Sequence, residues 1–199
     1  MRTAEHLPST EATEVIVIPE AEAGSPPVAP VWGVLRLLMG FTFFWAFLDK
    51  LLALGFATGR DSETGQIDFF GPDAWIRGGS PTDGLLQYGI HTKGPLVGFF
   101  QGLAGSSAIE WLFMLSMAGI GLALLFGIAV RVAALGGIAW MVSIYLATSV
   151  FPEHNPFVDE HVVYIAVLVG IAQVGAGGVF GLGKRWRRTT LVSRYPVLQ

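Results

Sequence analysis

The chain contains no cysteine. Disulfides, Cys-ligated iron–sulfur clusters, Cys zinc sites and thiol catalysis are thereby excluded, and cysteine usage says nothing of the redox compartment. Charge is scarce too: Asp, Glu, Lys and Arg make up 14% of 199 residues, against roughly 25% in soluble domains. So few charges cannot coat a globule in water. Twelve basic and 15 acidic residues leave a net charge of −3, and a pI of 5.8 offers no basic surface for a phosphate backbone. Nucleic-acid binding is excluded as a main role.

Apolar residues are abundant instead, at 52% with 26 glycines and a mean hydropathy of +0.58. The excess must face lipid. Four apolar stretches, 31–57, 109–129, 132–150 and 161–180, each approach or exceed the roughly 20 residues that a helix needs to cross a bilayer. They predict an all-α membrane protein, a four-transmembrane-helix bundle with a structured outer cap at 58–108. A passive link of that length is uncommon, and Phe69, Phe70, Trp75, Leu85, Leu86, Tyr88 and the PLVGFF run at 95–100 give such a cap apolar surface to bury on the membrane. The alternative is an exposed, partly ordered loop. Close helix packing in lipid needs small residues, and Ala123/Gly127, Ala133/Gly137, Ala166/Gly170 and Gly177/Gly181 supply the spacing.

Residues 1–30 carry Glu5, Glu11, Glu14, Glu20 and Glu22 among prolines and lack the basic start and apolar core of a signal peptide. They read as an acidic tail, disordered or able to add the 15–18 run to a partner's sheet edge. Residues 184–199 form a basic tail. Eight basic residues (Arg2, Arg36, Arg131, Lys184, Arg185, Arg187, Arg188, Arg194) fall on one side of a four-span topology, which predicts that both termini are cytoplasmic; the expected location is a bacterial plasma membrane.

Ionisable groups inside a span are costly unless paired or wetted. Arg36, one turn inside the first span, is expected to snorkel to the cytoplasmic headgroups, the alternative being an anchor for a quinone oxygen or an acid. Asp49 and Lys50 are about 20 Å further along the axis, in the outer half. At about 100° per residue Arg36 and Asp49 point about 140° apart, so one site cannot use both. Counting inward from the outer span ends puts Glu110, Tyr145, Thr148, His161 and Tyr164 at a similar depth. Tyr145, Thr148 and Ser149, spaced i, i+3 and i+4, share a helical face. Convergence gives an outer polar pocket in which Asp49 pairs with His161 or Lys50; the alternative is ordinary interfacial decoration. The motif EHNPFVDEH at 153–161 offers Glu153, His154, Asp159, Glu160 and His161, but its prolines break any helical ligand pair, and a helix entry stabilised by Asp159 and Glu160 is the preferred reading over a metal site. Bis-histidine haem ligation is not expected, because only His161 borders a span.

The runs LRLLMGFTFFWAFLDKLL at 35–52, GGSPTDGLLQYGIHTKGP at 78–95, GIAVRVAAL at 127–135, NPFVDEHVVYIAVL at 155–168 and GAGGVFGLG at 175–183 resemble the DoxX/DoxD family across most of residues 31–183. The GGSPT and NPF...H elements are closer to DoxD, the membrane subunit of thiosulfate:quinone oxidoreductase. The resemblance implies a four-span bundle and a link to redox stress or respiratory chains; the acidic tail departs from the family pattern. The expected function is a quinone-linked redox membrane subunit. In it Lys50 and Arg77 attract an anion, His161 and Glu110 exchange protons, Asp49 completes the polar cluster, and Tyr145, Thr148 and Tyr164 line the pocket. Quinone is a co-substrate, with no haem or metal. The competing reading is a non-catalytic accessory subunit of a respiratory-chain assembly, docking through small-residue faces onto other membrane subunits. A transporter would need broken helices or repeat symmetry that the sequence does not display.

Overall fold

The computed structural model describes residues 28–86, 96–149, 155 and 157–198. Most of the acidic tail, Tyr88, His91, Lys93, Glu153 and His154 therefore lie outside the described residues, and so do the expectations placed on them. The chain is mostly helical: α1 Pro30–Leu52, α2 Val97–Gln101, α3 Ser107–Phe126, α4 Val130–Ile144, α5 Glu160–Val174, α6 Gly183–Trp186 and α7 Thr190–Arg194. No strand occurs among the described residues, only an isolated antiparallel bridge between Arg60 and Ile67. Three helices are long and apolar enough to cross a membrane: Pro30–Leu52, Ser107–Phe126 and Val130–Thr148.

Three of the four expected spans end where the backbone turns left-handed. The first stops at Leu52 instead of 57 because Ala53 adopts φ 52°; the run 51–57 does not continue the helix, and Asp49 stands in its last turn. The second stops at Phe126 before Gly127 at φ 72°. The fourth is shorter than expected. α5 spans 15 residues and ends at Gly175, φ 63°, so it rises about 22 Å at 1.5 Å per residue, short of the roughly 30 Å of hydrocarbon. The third leaves α geometry at Tyr145 and finishes as a π-helical turn, Tyr145–Ser149. Its wider turn replaces the α-helical spacing that was expected to align Tyr145 with Thr148.

α1 packs against α3 and α5, and α4 against α3 and α5. The core between them is apolar: Phe43 of α1, Met114, Met117 and Leu124 of α3, Ala134 and Met141 of α4, and Leu168 and Ile171 of α5 are buried. Small residues do permit close approach, but the α1–α3 contact uses a pair missed in the sequence. A Cβ on Gly40 would meet the Leu125 backbone nitrogen at 2.8 Å, and one on Gly121 would meet the Phe44 nitrogen at 2.6 Å. Lipid supplies little hydrophobic drive between helices, so this proximity is what lets dispersion hold them together.

One end of the helices is tied by Arg36, which does not snorkel. It is 0% exposed and donates to the carbonyls of Leu124 and, at 3.0 Å, Leu125 at the end of α3, and to those of Val179 at 2.9 Å and Phe180 at 3.1 Å. Helix C-terminal carbonyls lack intrahelical donors, and a guanidinium forks across several acceptors. Arg36 therefore joins the start of α1, the end of α3 and the segment after α5. The Leu182 amide adds a bond of 2.8 Å to Phe126 O.

At the other end, segments 53–86 and 96–106 build on the helices. Trp75, in the 3-10 turn Trp75–Arg77, packs edge-on to Trp111 with centroids 4.6 Å apart. Leu86 and Ala147 are buried with Val97, Phe100 and Leu103 around them. Phe69 and Phe70, expected to be covered, are exposed.

Candidate functional site

Thr42, Ala46 and Lys50 recur at four-residue intervals on α1 and so share one face. That face, with Phe43, forms one wall of a cavity of about 640 Å³; Phe113 and Met117 of α3, Met141 and Ile144 of α4 and Tyr164 of α5 complete the apolar walls. The roof comes from the segment after α1: Ala57, Thr58, Gly59 and Arg60, then Asp73, Ser80, Pro81, Gly84 and Leu85. The volume lies within the roughly 300–1,000 Å³ of small-molecule sites. Its charged groups sit at the end of α1 and in the roof, where Lys50 and Arg60 outnumber Asp73 among the charged residues lining it.

The roof is held by Asp49. This carboxylate is 2% exposed and faces neither lipid nor His161: it accepts the Phe56 amide at 3.1 Å and the Ala57 amide at 2.9 Å. A carboxylate accepting two backbone N–H groups is well satisfied at low dielectric. The chain is thereby folded back over the end of α1, which carries Ala57 to Arg60 to the cavity mouth. Arg60 Nε fixes the same turn by donating to Gly55 O at 2.7 Å. Beyond it, Asp61 accepts the Thr64 amide at 2.6 Å, the Thr64 hydroxyl at 2.9 Å and the Glu63 amide at 3.0 Å. These bonds, those from Thr64 first, hold its carboxyl below the usual range.

Of the residues expected to converge, Lys50 and Tyr164 line the cavity. Glu110 stands behind it in the first turn of α3, accepting the hydroxyl of Ser80, which does line it. His161 is engaged elsewhere. Its Nδ1 lies 2.6 Å from Asp159 Oδ2, and Asp159 caps α5 by accepting the Val162 amide at 3.2 Å. The ligand atoms of Asp159, Glu160 and His161 lie within 4.8 Å of one another; the cap accounts for that proximity. The Tyr145 hydroxyl donates to Phe157 O at 3.0 Å and Thr148 to Ile144 O at 2.9 Å, and neither residue lines the cavity. Arg77 is exposed on its 3-10 turn and does not line the cavity, whereas Arg60 does.

Arg60, Asp73, Ser80 and Thr42 were missed in the sequence. The signal available for Arg60 was its place after two glycines, Gly55 and Gly59, which both adopt φ 80°, just past a helix end. Comparison with protein-family models, with curated proteins and with solved structures finds no match for this chain.

Proposed function

We propose that the chain is a quinone-linked redox membrane subunit of the DoxX/DoxD type. In this reading α1, α3, α4 and the shorter α5, which crosses where the bilayer thins to meet it, are four spans of a bundle in a bacterial plasma membrane, with both termini cytoplasmic and segments 53–86 and 96–106 in an outer cap. Two features support the topology. The start of α1, the end of α3 and the segment after α5 meet at Arg36. At that same end the chain carries Lys184, Arg185, Arg187 and Arg188, in keeping with the excess of positive charge on cytoplasmic loops.

The observation that carries the functional reading is the cavity, apolar at the level of the helices and cationic at the roof. A quinone head group needs a flat apolar slot and donors for its ring oxygens; Lys50, Arg60 and the Tyr164 hydroxyl are donors on the lining. Lys50 and Arg60 also draw an oxyanion such as thiosulfate to the outer face. Oxidative coupling of two thiosulfates through a sulfur–sulfur bond releases two electrons, and quinone takes up two electrons and two protons to become the quinol. Ser80 and Glu110, hydrogen-bonded to each other, offer a proton path between cavity and outer water. Asp49 is a positioning residue for the roof, and His161 stabilises the start of α5.

A second reading stands on a different observation. Asp49 and His161 are both committed to local bonds, as in a non-catalytic accessory subunit of a respiratory assembly. Thiosulfate-dependent quinone reduction in membranes containing the chain separates the two. The redox subunit gives a rate above that of empty membranes, reduced in Lys50→Met and retained in His161→Ala; a rate equal to that of empty membranes leaves the accessory reading.

A further inference from the structure

A second cavity, of about 250 Å³, lies beside the first. Leu85, Phe113 and Ile144 line both, so the two share a wall of three apolar side chains. The smaller one is almost wholly hydrocarbon. Ser143 Oγ on its rim is spent on Ala139 O at 2.8 Å, and the Trp140 indole N–H on Ser116 at 2.6 Å. One polar group is left over: Thr82, 4% exposed, lines this cavity with a hydroxyl that has no partner among the described residues. Phe99, on the same lining, is 63% exposed, so the cavity reaches the outer surface of the helices.

We propose that this cavity holds the isoprenoid chain of the quinone whose head group occupies the larger one, an inference that rests on the quinone reading above. An apolar cavity of about 150 Å³ holds benzene, six carbons; about 250 Å³ then takes about ten, the size of two isoprenyl units. The chain leaves past Phe99 into lipid. Pro81 lines the larger cavity and Thr82 the smaller, which places the unpaired hydroxyl at their joint, beside the ring oxygen next to the chain-bearing carbon. A buried donor without a partner is costly, and this ligand would supply the partner.

The test uses the full chain in lipid nanodiscs and a quinone whose two-isoprenyl chain ends in a diazirine. Photolabelling is expected at Phe99, Leu103, Ser143 and Ala147, with competition by the unlabelled two-isoprenyl quinone. Ser143→Phe, which fills the cavity, removes the label while a tail-less quinone still binds with wild-type affinity; Leu103→Trp serves the same end should Ser143→Phe fail to fold. Label confined to outward residues such as Leu112 and Leu115, or unchanged by both fillings, overturns the assignment, as does equal labelling by a diazirine phospholipid that quinone cannot displace. No saturable binding of the tail-less quinone to wild type overturns the quinone reading itself. Binding of the tail-less form with misplaced tail label overturns the second cavity alone.

Discussion

Replacing Arg36 with Met removes a donor shared by the start of α1, the end of α3 and the segment after α5, while keeping a side chain of similar reach. Four carbonyls lose their guanidinium partner, those of Leu124, Leu125, Val179 and Phe180; Leu124 O keeps the Gly127 amide at 3.2 Å, which leaves the other three as the acceptors that count. A buried acceptor left without a donor costs about 1–3 kcal/mol. Against this, a guanidinium in the hydrocarbon costs about 2.5–3.5 kcal/mol by insertion scales, less toward the headgroups, and Met recovers that cost. The acceptors outweigh the recovery, so Arg36→Met is expected to lose about 2–4 kcal/mol of stability. Arg36→Lys should fall between, because an ammonium donates from a single point and cannot fork across two segments. Equilibrium unfolding of the purified chain in mixed micelles, followed by tryptophan fluorescence, reads the difference. An unfolding midpoint for Arg36→Met equal to wild type, or Lys no better than Met, would refute the clamp and restore a headgroup role for this residue.

Gly121→Leu should push α1 from α3, because even a Cβ there falls 2.6 Å from the Phe44 nitrogen; a loss of about 1–3 kcal/mol is expected for such overpacking, checked in the same unfolding assay, with Gly119→Leu, which meets nothing within 4 Å, as the silent control. The Asp61 carboxyl is held below its ordinary pKa by Thr64 and Glu63, so the turn's ordering is complete above the unfolded-state carboxylate pKa and is lost as pH falls through the lower folded one. Amide exchange at Glu63 and Thr64 should therefore quicken only at acid pH, and Asp61→Asn should remove that dependence. A reporter fused after residue 199 should be active in the cytoplasm; activity only outside would reverse the topology.

Apolar stretches were legible in the sequence because composition over about 20 residues is a property that no tertiary contact alters. Their ends were not, since they depend on single left-handed residues, and at Ala53 that conformation falls on a residue that seldom adopts it. Depth counting along each span brought Lys50 and Tyr164 to one level, where the cavity joins them. It failed for Arg36, whose acceptors lie 88 to 144 residues away in the chain and are invisible to a reading that measures distance from a helix end. It failed again for His161, because a neighbour two residues back, Asp159, satisfies it. Arg60 was passed over as a loop residue, although Asp49, correctly expected to need partners, obtains them from the very turn that carries Arg60 to the cavity.

Titration of a tail-less quinone into the purified chain in nanodiscs, for wild type and for Ala46→Phe, puts the cavity itself to the test. Ala46 lines it from the middle of the α1 face that ends at Lys50, and a phenyl ring there takes up cavity volume while leaving Lys50, Arg60 and Asp49 in the chain. Saturable binding to wild type that is lost in Ala46→Phe, with the unfolding midpoint kept, is the expected result. Absence of saturable binding to wild type, or binding of equal affinity in Ala46→Phe, would contradict a quinone site in this cavity.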